Sequence, residues 1–97
     1  MSQIVKILNE IKSKPAMYIG RSSIFCLRAY LFGCYRSLPK EDIEFLNDFQ
    51  SWIENKYKID TSHSWADILH FYSTDEQDAL KLFFNEFDEF LNQLSEE

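Results

Sequence analysis

Apolar side chains recur along this chain at intervals of three and four, and that spacing constrains what it can fold into more than any other feature. Ile4, Ile7, Leu8 and Ile11 share one face of a helix over Ser2 to Lys14, with Ser2 placed to cap its start. A second helix, begun by Ser22 or Ser23, carries Ile24, Phe25, Leu27, Tyr30, Leu31, Cys34 and Tyr35 on nearly every side, which predicts a central position. Gly33 within it costs about 1 kcal/mol of helix propensity relative to Ala, which predicts a second helix crossing closely there. The third helix, to about Tyr57, turns Ile43, Leu46, Phe49, Ile53 and Tyr57 inward, with Phe45 and Trp52 at the margin and Glu41, Glu44, Asp48 and Asn55 outside. A short fourth helix, capped by Ser62 or Ser64, aligns Trp65, Ile68, Leu69 and Tyr72. The last buries Leu80, Phe83, Phe84, Phe87, Leu91 and Leu94 and turns Asp78, Lys81, Asn85, Asp88 and Asn92 outward, while Phe90, one position beside the inward face, is a candidate for an exposed apolar patch.

Punctuation agrees with helices. Two Pro and two Gly are too few to close the many hairpins of a β-rich domain. Pro15 ends the first helix and Lys14 to Gly20 reads as a short non-helical connector, in which Gly20 permits a tight turn. Pro39 falls in the first turn of the third helix with Glu41 and Asp42 directly after it, where the positive helix end favours acids. Ser73 with Glu76, and Thr74 with Gln77, form capping boxes for the last helix. The expected fold is all-α: a compact single-domain bundle of about five helices over residues 1–97, with neighbours packed roughly antiparallel because the connections are short.

Nine Phe, five Tyr and two Trp supply the buried area that offsets chain entropy, and a chain of this length hides roughly 65% of its extended surface on folding. No run approaches the roughly 18 uncharged apolar residues that cross a bilayer, and charges interrupt the amino-terminal apolar residues, so a cytoplasmic protein without membrane contact is expected. Cys26 and Cys34 stand roughly 12 Å apart along one helix, too far for a mutual disulfide, and read as small buried hydrophobes.

Charge is divided along the chain. Up to Pro39, Lys6, Lys12, Lys14, Arg21, Arg28 and Arg36 face Glu10 alone, a balance of +5, whereas from Lys40 onward four Lys face fifteen Asp or Glu, a balance of −11. The plain consequence is a basic first part lying against an acidic remainder; the sharper one is an excess negative surface that recognises a basic partner and speeds the encounter.

Chemistry-bearing constellations are weak. His63, Asp67 and His70 line one face of the short helix, but a helical zinc site needs further converging ligands, so a polar or capping role is expected and no metal or cofactor. The acids fall on exposed faces rather than in a cleft that would raise one pKa, and no phosphate loop or nucleophile elbow is present. The chain does not read as an enzyme; a small enzyme would need a pocket holding a titrating His63 or His70. The cations interleaved with Tyr18, Tyr30 and Tyr35 are outweighed by an overall charge of −6, which argues against direct nucleic-acid binding.

Lys14-Pro-Ala-Met-Tyr-Ile-Gly20, Ser23-Ile-Phe-Cys-Leu-Arg-Ala-Tyr-Leu-Phe-Gly33, Phe49-Gln-Ser-Trp-Ile53 with Lys56-Tyr57, His63-Ser-Trp65, and Asp75-Glu76 before Leu82-Phe-Phe84 together resemble the immunity proteins of bacterial contact-dependent growth inhibition and related polymorphic toxin systems. The resemblance implies a protein that binds a cognate toxin domain, frequently a nuclease and in some cases a ribonuclease, and blocks its basic active site. An acidic helical face suits such a plug, and Glu41, Glu44, Asp48, Asp67, Asp75 and Asp78 are the candidate contacts. The chain is expected to act as a monomer or weak homodimer. The alternative is a helical adaptor or regulatory domain whose partner is not a toxin.

Overall fold

The first helix, α1 (Gln3–Ser13), buries Ile4, Leu8 and Ile11 completely, the stripe expected from their spacing. The computed structural model describes residues 3–96, with side chains through Ser95, so the expected cap at Ser2 lies outside the described residues. Lys14 breaks the helix, and Pro15 then opens a second one, α2 (Pro15–Ile19), where a non-helical connector was expected. Proline blocks the helix behind it, but at a first helical position its missing N–H is one the helix leaves unbonded anyway. Gly20 ends this single turn at φ +87°, its N–H donating to the Ala16 carbonyl, a conformation that side chains with a Cβ resist.

Ser23 caps α3 (Ile24–Cys34) by accepting from the N–H groups of Phe25 and Cys26. A short 3-10 turn, Tyr35–Ser37, leads to α4 (Lys40–Tyr57). Pro39 is the residue before that helix rather than inside its first turn, and Glu41 and Asp42 occupy the turn. Lys58, left-handed at φ 56°, closes α4 with its N–H on the carbonyls of Glu54 and Asn55. Ser64 caps α5 (Trp65–Phe71) by accepting from the N–H of Asp67.

The start of α6 (Glu76–Glu96) is built differently from the expected boxes. Asp75 Oδ1 accepts from the Asp78 N–H at 2.8 Å, and Asp78 Oδ2 accepts from the Thr74 N–H at 3.0 Å. Ser73 instead donates its hydroxyl to the Leu69 carbonyl at the end of α5. Carboxylates outcompete hydroxyls here because they carry full charge at the positive end of the helix dipole.

The elements enclose one core with a radius of gyration of 12.8 Å, all helical among the described residues. Both α6, packed against α3, α4 and α5, and α3, packed against α2, α5 and α6, run through it, but α3 is not covered all round as expected. Only Ile24, Leu27 and Leu31 of α3 are buried, and Phe32 is 79% exposed. Apolar residues all round a helix do not bury it all round when too few neighbours exist to cover every side. Gly33 is a second correction: a Cβ there would meet no atom within 4 Å, so no helix crosses closely. Phe90 is a third, at 4% exposed, with its ring 5.3 Å from Phe45, 5.4 Å from Phe49 and 5.5 Å from Trp52, because α4 lies across the margin of the α6 inner face. Cys26 and Cys34 are free thiols, half-buried rather than buried. At the ends of the expected faces, Tyr72 and Leu94 are exposed.

The two glycines thus carry opposite expectations. Gly33→Ala should raise stability by about 1 kcal/mol, since the methyl enters open space on a helix. Gly20→Ala should lower it by about 1 kcal/mol through the left-handed backbone. Urea unfolding of the two variants beside the parent checks both signs.

Candidate protein-binding surface

Three cations of the basic first part reach across to acids of the later part. Lys12 Nζ lies 2.7 Å from Asp88, Arg21 Nη2 3.1 Å from Glu76, and Arg28 Nη1 3.2 Å from Asp67. Ser23, the cap of α3, also donates its hydroxyl to Glu76. Pairs this exposed add little to stability, so their effect is to cancel charge locally rather than to hold the fold.

The six candidate carboxylates fall into three groups. Asp67 is taken by Arg28, which also donates to Ser64 Oγ at 3.1 Å and lies over the Phe25 ring. Asp75 and Asp78 are exposed but engaged in starting α6. Glu41, Glu44 and Asp48 remain together on the outer face of α4, all exposed. Glu44 has Lys40 at the outer limit of an ion pair, 4.0 Å, and Glu41 and Asp48 have no ion pair among the described residues. The structure therefore brings one acidic row together and distributes the other three acids elsewhere.

Beside that row lies a groove between α3 and α4, about 270 Å³ in volume. Leu31 and Phe32 of α3, Tyr35 of the 3-10 turn, Leu46 of α4 and Trp65 of α5 supply apolar surface, and Arg28, Asn47, Gln50 and Ser64 supply polar edges. Tyr35 donates its hydroxyl to Asn47 at 3.4 Å across the groove, and its ring stacks on Phe32 at 6.4 Å. Gln50 fixes the far end: its amide donates to the His63 carbonyl at 2.9 Å, and its oxygen accepts the Trp65 N–H at 2.6 Å. Asn47, at the groove's edge, is one turn beyond Glu44, which makes Glu44 the acid of the row nearest the groove, with Glu41 and Asp48 further round α4. An exposed Phe32 beside half-buried Tyr35 and Trp65, with an Arg at the edge, is a composition enriched in protein contact surfaces.

A second apolar groove, about 260 Å³, lies at the other end of α4, lined by Ile59, Ile68, Phe71 and Tyr72 with His63 and Asp67. Phe71 is 78% exposed, and Tyr72 packs on Tyr57 at 4.9 Å. Tyr72 was expected on the inward face with Trp65, Ile68 and Leu69, whereas Phe71 lies off that stripe and its exposure agrees with the spacing. His63 is exposed and His70 rests against Phe25 at 4.8 Å. No three His, Cys, Asp or Glu converge on a metal geometry among the described residues.

Two carboxylates are buried among the described residues, Asp42 in the first turn of α4 and Glu86 on α6. Glu86, 6% exposed, accepts from Tyr57 Oη and from Lys56 Nζ, both at 2.8 Å, and Lys56 also meets Glu89. Burial pulls the Lys56 pKa down, but the hydrogen bonds to Glu86 and Glu89 outweigh it and leave it raised. Hydrogen bonding with Cys26, and then the charge of Glu76, raises that of Arg21. The Tyr57 hydroxyl is pushed well above its ordinary value, first by burial and then by its hydrogen bond to Glu86.

The last shift sets a pH dependence. A pKa raised on folding means that the unfolded chain loses the Tyr57 proton first, so the contribution is whole below about pH 10 and falls as the pH rises through the alkaline range. Tyr57→Phe should therefore be less stable than the parent at pH 8, and the gap should narrow by pH 11 in urea unfolding.

No family model matches this chain, and neither the curated proteins nor the solved structures compared with it contain a match, so the chemistry of its surfaces carries the functional reading.

Proposed function

We propose that this chain acts by stoichiometric, non-covalent binding of another protein, as a cytoplasmic immunity protein that covers the basic active site of a cognate toxin domain, a nuclease being the best fit. The observation that carries the reading is the row Glu41, Glu44 and Asp48 on the outer face of α4, exposed and largely without cationic partners, beside an apolar groove. A nuclease cleft is positive because it holds phosphates, and a negative surface of fixed shape fills it by complementary potential. Asp67, Asp75 and Asp78 stand further round the molecule and contribute through the general negative field. No chemistry of the chain itself is required, and inhibition scales with occupancy.

A second reading, a helical adaptor with a non-toxin partner, draws its support from the exposed Phe71 and Tyr72 at the other end of α4. The two separate by experiment. Titration calorimetry against the toxin fragment encoded beside the gene should give one-to-one binding that weakens as salt rises, and Glu41→Lys with Asp48→Lys should weaken it by about a hundredfold, the scale of one or two contact charges. Absence of a complex at micromolar concentration, or a complex indifferent to salt and to both reversals, would remove the toxin reading.

A further inference from the structure

The groove between α3 and α4 has features that the electrostatic reading does not use. Phe32 stands 79% exposed at its lip, although Leu31 and Leu46 beneath are nearly covered. Its volume of about 270 Å³ lies just below the range of roughly 300–1,000 Å³ typical of small-molecule sites, and it is open along one side. Such a shape suits one inserted side chain. The charge near it leans negative: Arg28 at one end is cancelled by Asp67 at 3.2 Å, and on the outer face of α4 Lys40, 4.0 Å from Glu44, offsets only part of Glu41, Glu44 and Asp48.

We propose that this groove is an anchor pocket for an aliphatic or aromatic side chain of a basic protein segment, whose flanking cations meet Glu44 and Asp48. The inference rests on the reading of the chain as a binding protein and names the chemistry that the partner presents. A second copy of the chain is a poor occupant, since at a net charge of −6 each copy would bring its own acids against this acidic row. Nucleic acid is excluded by the same repulsion. Insertion of an apolar side chain covers Phe32 and expels water from around the carboxylates, which strengthens their attraction for the flanking cations.

Two synthetic peptides of equal length and charge test this on the intact protein, one alternating lysine with leucine, the other lysine with serine. The lysine–leucine peptide should bind about tenfold tighter or better, with NMR amide shifts centred on Phe32, Asn47 and Glu44. Phe32→Ala should remove about tenfold of that affinity while leaving the melting temperature in place, because the ring is exposed. Glu44→Lys with Asp48→Lys should weaken both peptides and flatten their salt dependence. Equal affinity of the two peptides, shifts centred on Phe71 and Tyr72, or binding unchanged by Phe32→Ala would overturn the assignment. A toxin that does not bind the free protein, although the lysine–leucine peptide does, defeats only the toxin reading; a toxin that binds the Phe32→Ala variant undiminished defeats only the pocket.

Discussion

Phe49 meets five other aromatic rings. Trp52 is on its own helix, Trp65 on α5, and Phe83, Phe87 and Phe90 on α6, with ring centres between 5.4 and 6.2 Å. Four of the five contacts are edge-to-face, the geometry in which the positive edge of one ring faces the negative surface of the other. This cluster ties α4 and α5 onto α6, and a small domain has few other ways to assemble a core from short helices. Everything on the surface takes its position from it. The outer face of α4 is acidic and open because its inner face is committed to Phe49, Leu46 and Ile53.

Charge is arranged in two layers with different duties. The buried carboxylate of Glu86 is satisfied by Tyr57 and Lys56, which makes a polar joint between α4 and α6 next to the aromatic cluster. The exposed pairs from Lys12, Arg21 and Arg28 engage three of the six cations of the first part with three of the fifteen later acids, at little gain in stability. None of these three pairs involves α4, whose outer row Glu41, Glu44 and Asp48 has Lys40 alone as an ion-pair partner among the described residues. Such a row is more specific as a recognition surface than a diffuse excess of charge, because its position is set by a rigid helix and its neighbour is a groove.

The grooves follow from the same shortage of covering elements. The six α-helices of the described residues, one of a single turn, do not bury both sides of α3, so Phe32 faces outward, and Phe71 in the last turn of the short α5 does the same. Apolar side chains left exposed in this way are where a partner gains most from excluding water.

Helix positions other than that of α2, the Ser23 and Ser64 caps, the inner face of α4 and its outward acids were legible in the sequence, since spacing and capping are local properties of a few neighbouring residues. The start of α6 was placed within two residues but credited to Ser73 and Thr74, because hydroxyl and carboxylate caps satisfy the same pattern and only their geometry separates them. Tertiary structure alone decided which apolar faces are covered: it buried Phe90, left Phe32 outside and put Gly33 in open space. It also decided which of the six carboxylates stand unengaged, by bringing Arg28 beside Asp67 from 39 positions away. Covering and pairing across such separations depend on how whole helices cross, and a local pattern holds no record of that.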